Sequence, residues 1–396
     1  MSETARVADV VAVLDELYDP AWAEEWDAVG LVVGDPQDPV RRVLLAVDPV
    51  IAVIDEAARW GADLIVTHHP LLLRGVHSVA TTSIKGRAVT ALVRGGIALH
   101  VSHTNADVAR PGVSDALATA LGLQELRPLR SAGPGPGELD KIVTFVPHAD
   151  AERVMDALAE AGAGRLGDYA RCAWTTRGTG TFVPLPGANP AVGTVGSTER
   201  VDETRIEMVL QRARRTAVVA ALRAAHPYEE PAFDVLELAA DDSAEPGQSQ
   251  RGLGRVGTLP EPATLDQFAA RVAGALPSTA APVRVAGDGA RPIRTVAVCG
   301  GAGDDLFGDV RAAGVDAYVT ADLRHHPASE SLEHGTPALL DCSHWATEWP
   351  WLADAEQRLR EGLTRRGTTV QTRVSTLVTD PWTDIASTTS PRSPGA

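Results

Sequence analysis

Over the first 124 residues, short apolar runs alternate with segments whose apolar positions recur at helical spacing. Residues 7–18, 51–60, 86–94 and 114–121 carry the three-to-four-residue period of amphipathic helices, whereas 43–48, 64–67 and 97–102 are brief runs of buried-strand type. Strand followed by helix, repeated, predicts a mostly parallel sheet. The stretch 131–137 is too rich in Gly and Pro for a regular element and predicts a linker. A different rhythm follows. Strands are expected at 142–147, 170–176, 180–183, 204–210 and 232–238, with helices at 151–161 and 216–225, the strand-helix-strand repeat of a ferredoxin-like α+β unit. A polar, loop-like stretch, 239–251, closes it. Strand-helix alternation then returns, with strands at 295–299, 317–320 and 338–340 and helices at 265–275, 305–313 and 349–366.

The residues able to do chemistry stand on both sides of the middle segment, so that segment reads as an insertion. The expected fold is α/β: two α/β lobes, 1–130 and 250–383, meet at one site and are interrupted by a ferredoxin-like insert at 138–240. A tail, 384–396, reads as disordered.

Composition narrows the class. A chain of 396 residues exceeds one ordinary core and suggests two or three domains, and 44% hydrophobic with 22% charged residues is globular. The formal charge of −16 and pI near 5.1 argue against a nucleic-acid surface, although a local cationic centre can still attract a small anionic substrate. Cys172, Cys299 and Cys342 are odd in number and widely spaced, which predicts small buried residues rather than a zinc knot or a disulfide framework. No basic-then-apolar leader and no long apolar run is seen, so the expectation is a cytoplasmic protein without membrane contact.

Candidate chemistry gathers at four strand ends, where α/β proteins place their sites. His68 and His69 end the run Asp63 to Thr67 and are stopped by Pro70; the strand 97–102 leads to His103 and Asp107; the strand 317–320 leads to Asp322, His325 and His326; and 338–340 leads to Asp341, His344 and Glu348. Neighbouring residues leaving a strand project to different sides, so His68 and His69 are expected to serve separate ions. His344 and Glu348, four apart on the first turns of a helix, share one face about 5–6 Å apart at Cβ. A glutamate so placed can bridge two ions. Mixed imidazole and carboxylate donors suit two divalent transition-metal ions per chain, and Zn, Fe, Mn, Co and Ni all fit. Lone histidines near strands are more often structural, the expectation for His77, His100, His148, His226 and His334. The run Gly300 to Asp305 reads as a tight turn or as lining for the site, since it lacks a full dinucleotide or P-loop spacing. No Gly-x-Ser-x-Gly elbow supports a side-chain nucleophile.

Taken together, Val66-Thr67-His68-His69-Pro70-Leu71, His103-Thr104-Asn105-Ala106-Asp107, Thr320-Ala321-Asp322 and Asp341-Cys342-Ser343-His344-Trp345-Ala346-Thr347-Glu348 resemble the GTP cyclohydrolase 1 type 2 homologues, Nif-like proteins with a dinuclear metal centre. Trp26 to Leu31 and Thr379 to Trp382 are similar to that family too, so the resemblance covers nearly the whole chain. It implies His68, His69, Asp107, His344 and Glu348 as ligands, with Glu348 the bridge and His103 and His326 nearby as proton carriers. The middle segment, through the run from Gly162 to Tyr169 and the run from Ala225 to Pro231, resembles a PII/CutA-type insert. Ala321 and Ser343 stand where the family usually has glycine. The resemblance also implies a homohexamer, a ring of two trimers, and the tryptophans 345, 349 and 351 are candidates for packing against another lobe or subunit.

Hydrolysis is the default chemistry of such a centre. In the cyclohydrolase version C8 of guanine is attacked and formate released, with His103 or His326 moving protons. A non-enzymatic metal-binding, metal-delivery or regulatory hexamer, whose insert senses a small molecule, is the alternative; a phosphatase or phosphodiesterase is a weaker one.

Overall fold

The computed structural model describes residues 4–132, 139–166, 169–238, 251–335 and 337–386. Most of the expected linker at 131–137, the polar stretch 239–250 and the tail from 387 onward lie outside the described residues. The chain divides into two units, one of Met1–Ala132 with Gln250–Ala396 and one of Gly133–Ser249.

Two mixed sheets build the first unit. The five-stranded sheet runs in the order Gly30–Val33, Ala98–Val101, Leu64–Thr67, Arg42–Ala46, Gln371–Val374, parallel except at Gly30–Val33. The six-stranded sheet runs Arg284–Ala286, Ala338–Cys342, Ala317–Ala321, Pro292–Ala302, Gly252–Thr264, Gln124–Ser131. Its three adjacent strands Ala338–Cys342, Ala317–Ala321 and Pro292–Ala302 are parallel to one another. The remaining pairs are antiparallel.

The edges of these sheets depart from the two sequence-defined lobes. Gln371–Val374, from the C-terminal segment, pairs with Arg42–Ala46, while Gln124–Ser131, from the N-terminal segment, pairs with Gly252–Thr264. Each segment therefore supplies the other's sheet with an edge strand. Both strands are polar and half exposed, so neither shows the apolar run that announces a central strand. Pro128 is tolerated at such an edge.

One core joins the chain's two ends. Helices Val7–Leu17 and Pro350–Arg365 bury Val10, Leu14, Leu359 and Leu363 against Val43, Leu45 and Val66. Trp351 is fully buried there and its indole donates to the Tyr18 hydroxyl at 3.1 Å. Trp345 is also buried, and Trp349 donates to the Ser375 carbonyl at 3.0 Å. These tryptophans are occupied inside their own chain, which removes them as a sign of subunit contact. Among the described residues no helix is long and apolar enough to cross a membrane.

The second unit is a four-stranded antiparallel sheet in the order Ala173–Phe182, Glu199–Gln211, Leu139–Pro147, Phe233–Glu237. Helices Ala151–Glu160 and Arg215–Ala225 cover one face through Val154, Leu158, Val218 and Leu222. The two strands expected at 170–176 and 180–183 form one, Ala173–Phe182, in unbroken register with Glu199–Gln211. Gly178 and Gly180 lowered its strand signal without interrupting its pairing.

Candidate metal centre

Strand Leu64–Thr67 is buried throughout, and beyond its last residue the chain bends at His68 and His69. The Thr67 hydroxyl donates to the His69 carbonyl at 3.0 Å, and the His69 amide donates to the Val47 carbonyl at 2.9 Å. The pleat's alternation stops at this bend. Both rings turn toward Glu348, with centroids 5.1 Å apart, so the expectation that they point to opposite sides is corrected.

His103 stands immediately before the single-turn helix Thr104–Val108, and Asp107 one turn later. Helix His344–Glu348 follows strand Ala338–Cys342, with the Ser343 hydroxyl accepting from the Ala346 amide at 3.2 Å as its cap. Glu348, 3% exposed, is the hub. Its Oε1 lies 2.9 Å from His344 Nε2 and 3.5 Å from His68 Nε2, and its Oε2 lies 3.2 Å from His69 Nε2. Asp107 Oδ1 is 3.7 Å from His68 Nε2. The ligand atoms of His68, His69 and His103 form one group within 4.8 Å, and those of His69, His344 and Glu348 form another. All five expected ligands are thus brought together, with His103 among them.

Every imidazole in the cluster has its Nδ1 against an oxygen. His68 faces the Ser102 carbonyl at 2.9 Å, His69 faces Asp48 at 2.8 Å, His103 faces Asp27 at 2.9 Å and His344 faces Asp322 at 2.7 Å. With Nδ1–H donated outward, Nε2 faces inward and is the atom that a cation would take up in place of a proton, the arrangement of metal-binding histidines. Nε2 of His344 and His69 stand 3.3 Å apart, and the buried Glu348 Oε2 makes no hydrogen bond. Converging ring nitrogens beside a carboxylate oxygen without a hydrogen bond form a donor set that bound cations would satisfy in place of protons.

Burial opposes protonation of His69, but Glu348 and Asp48 outweigh it and hold the ring up to about 11. His344 is likewise raised to about 10, with Glu348 and Asp322 outweighing burial. Burial works against ionisation of Glu348, and three imidazoles overcome it to hold the carboxyl well below its usual range. Burial and His68 together lower His103, while burial raises Asp107.

Gly301 lines the site, as one of two sequence readings of its loop had it. Its φ is +68°, and a Cβ there would lie 2.6 Å from Glu348 Oε1 and 3.1 Å from His344 Nε2. His326 does not join the cluster. It is exposed on helix His325–Glu333, its ring against that of His325. Asp341 turns to Arg284 and to the Leu323 amide instead. His148, His226 and His334 bond to Thr204, the Phe145 carbonyl and the Glu330 carbonyl respectively, as structural histidines do.

Sequence reasoning missed the carboxylates Asp27 and Asp48 as partners of the ligands. Thr379, which donates to Asp48, and Asp380, which accepts from Ser343, lie in a run that carries the family resemblance, but no role was given to either. Asp48 does end an apolar strand run, a weak signal. Beside the cluster lies a cavity of about 760 Å³, lined by Asp48, His69, Arg284, Asp322, His344 and Trp382 among others.

A model of the Duf34/NIF3 (NGG1p interacting factor 3) family matches residues 5–381. A Mycobacterium tuberculosis protein named GTP cyclohydrolase 1 type 2 homolog is 50% identical over 379 residues, covering 96% of this chain and 97% of the relative. One of the same name from Streptomyces coelicolor is 40% identical over 378 residues, covering 96% and 94%. The crystal structure of a Bacillus cereus protein related to NIF3 superposes with a TM-score of 0.66 at 35% identity, covering 97% of this chain and all of that one.

Proposed function

The chain belongs to the Duf34/NIF3 family, and from that premise we propose that it is a metal-dependent hydrolase acting on a nucleotide or related small anionic substrate. The observation carrying this reading is the set of four imidazoles, each tied at Nδ1 to an oxygen, of which His68, His69 and His344 turn Nε2 in on Glu348 and His68 also meets Asp107. His68, His69, Asp107, His344 and Glu348 would hold two divalent ions, with Glu348 shared between them. Such a pair, when bound, supplies Lewis acidity and lowers the pKa of water. His103, oriented by Asp27 and half-buried at the cluster's edge, is placed to carry a proton. His326 has no part in this proposal.

The relatives' name suggests ring opening of a guanine nucleotide with release of formate. Product analysis tests it: formate from GTP, dependent on added metal and absent with Glu348→Gln, supports the cyclohydrolase reading, whereas inorganic phosphate points to a phosphatase. A second reading has its own observation. The cavity beside the cluster carries Asp48, Asp322, Asp341, Asp380 and Asp384 against Arg284, a lining that favours holding cations over admitting a polyanion. Tight metal uptake with no turnover of any nucleotide would favour this metal-binding role.

The same proposal takes the second unit as a ferredoxin-like, PII/CutA-like insert, which its strand order supports, and the flanking segments as two lobes sharing one centre. It takes the assembly as a homohexamer.

A further inference from the structure

The helix-free face of the second unit's sheet floors a cavity of about 810 Å³. Side chains alternate across strands, so with Ile142, Ile206 and Met208 packed under the helices, Phe145, Glu203 and Arg205 turn to the other face and line the cavity. Phe182 and Tyr228 form a wall, their ring centroids 5.8 Å apart. This unit's chemistry is separate from the metal cluster and does not rest on the reading of it.

Glu203 makes the cavity unusual. It is only 9% exposed, and its hydrogen bond comes from the Tyr228 hydroxyl to Oε1 at 2.9 Å. Among the described residues no cationic side chain pairs with it. Arg205, the nearest by sequence, is held by Glu207 at 2.9 Å and lies over the Phe145 ring at 5.9 Å. Its other oxygen rests against bare backbone, since a Cβ on Gly180 would fall 2.0 Å from Oε2. Carboxylates this buried are ordinarily paired, because desolvating an uncompensated charge is costly. Glu229 and Glu230 also line the cavity and add potential of the same sign.

We infer that this cavity binds a small organic cation, an ammonium or guanidinium group on an apolar or aromatic body. The cationic head sits on the Glu203 carboxylate, and the body lies against Phe182 and Tyr228, whose ring faces attract positive charge.

Calorimetric titration of the full-length protein with benzylamine, agmatine and, as an anionic match, phenylacetate tests this. Saturable binding of one or both cations is expected, with no binding of phenylacetate. Glu203→Gln, nearly isosteric, should weaken the cation about tenfold or more, the scale of one lost charged contact. Phe182→Leu, which keeps an apolar wall and removes the ring, should weaken it too, and metal content should be unchanged in both. Phenylacetate binding as well as benzylamine would overturn the inference, as would cation binding indifferent to both substitutions. Absence of cation binding, with Glu203→Gln instead altering the sedimentation coefficient, would mean that a second copy covers the cavity and would equally overturn it.

Discussion

At the scale of single residues, the cluster depends on groups that touch no ion themselves. Asp48 accepts from both His69 and Thr379, and so fixes one ring's tautomer and tilt. Asp48→Asn should reduce metal affinity about 10–100-fold, the usual cost of losing such a partner. Competition titration with a chromophoric chelator measures this. Gly301→Ala should do similar harm by a steric route, because its Cβ would fall on the Glu348 carboxylate in a left-handed conformation that alanine resists. Lost metal with an unchanged circular dichroism spectrum is the expected result; full occupancy would show that the loop yields. The candidate ligands were legible in the sequence because His and carboxylate at strand ends are conspicuous. Of their partners, Asp322 stood among the strand-end candidates, but Asp48 did not, since an aspartate in a turn looks the same whether it caps, hydrates or holds an imidazole 21 residues away.

Among the elements, the helix Val113–Ala120 is tied to strand Gly252–Thr264 by a buried arginine. Arg255 is fully buried and bonds to both oxygens of Asp115 and to the carbonyls of Gly252, Gly254 and Ala109. Arg255→Met leaves a buried carboxylate and three carbonyls without their donor. A loss of about 3–5 kcal/mol is expected in denaturant unfolding. In the second unit, Arg215 and Arg212 outweigh burial and hold Asp140 below its usual range. A carboxyl depressed in the folded state contributes stability above its unfolded pKa of about 3.9. That contribution is lost as pH falls through the depressed value. Amide protection factors in strand Leu139–Pro147, taken relative to intrinsic exchange at each pH, should therefore fall in acid, and Asp140→Asn should show lower protection at neutral pH with a smaller acid response. Such arginines escaped the sequence reading because a lone basic residue in a strand is ordinarily solvated.

For the whole molecule, the cores beneath the cluster are apolar and draw on both ends of the chain, so metal should stabilise the fold without being required for it. Chelation should lower the thermal midpoint and leave a cooperative transition, the stability lost growing with the metal concentration beforehand, about 2.7 kcal/mol at a hundredfold excess over Kd. Collapse to a disordered chain would contradict this. Light scattering at moderate salt should report a hexamer, and a monomer at every concentration would refute the proposed ring.

The sequence by itself determined the α/β alternation, the separate rhythm of the middle segment and the five donors, because periodicity, Gly/Pro punctuation and residue type are local properties. Tertiary structure alone decided what those donors became. The bend after Thr67 turned two neighbouring histidines to one side, against their strand parity, and four outer oxygens set the direction of four rings. It also exchanged the edge strands Gln124–Ser131 and Gln371–Val374 between the two sheets, a pairing fixed by backbone hydrogen bonds that polar edge sequences do not encode. And it buried Glu203 beside two aromatic rings, a proximity created by strand register and hidden in any linear reading.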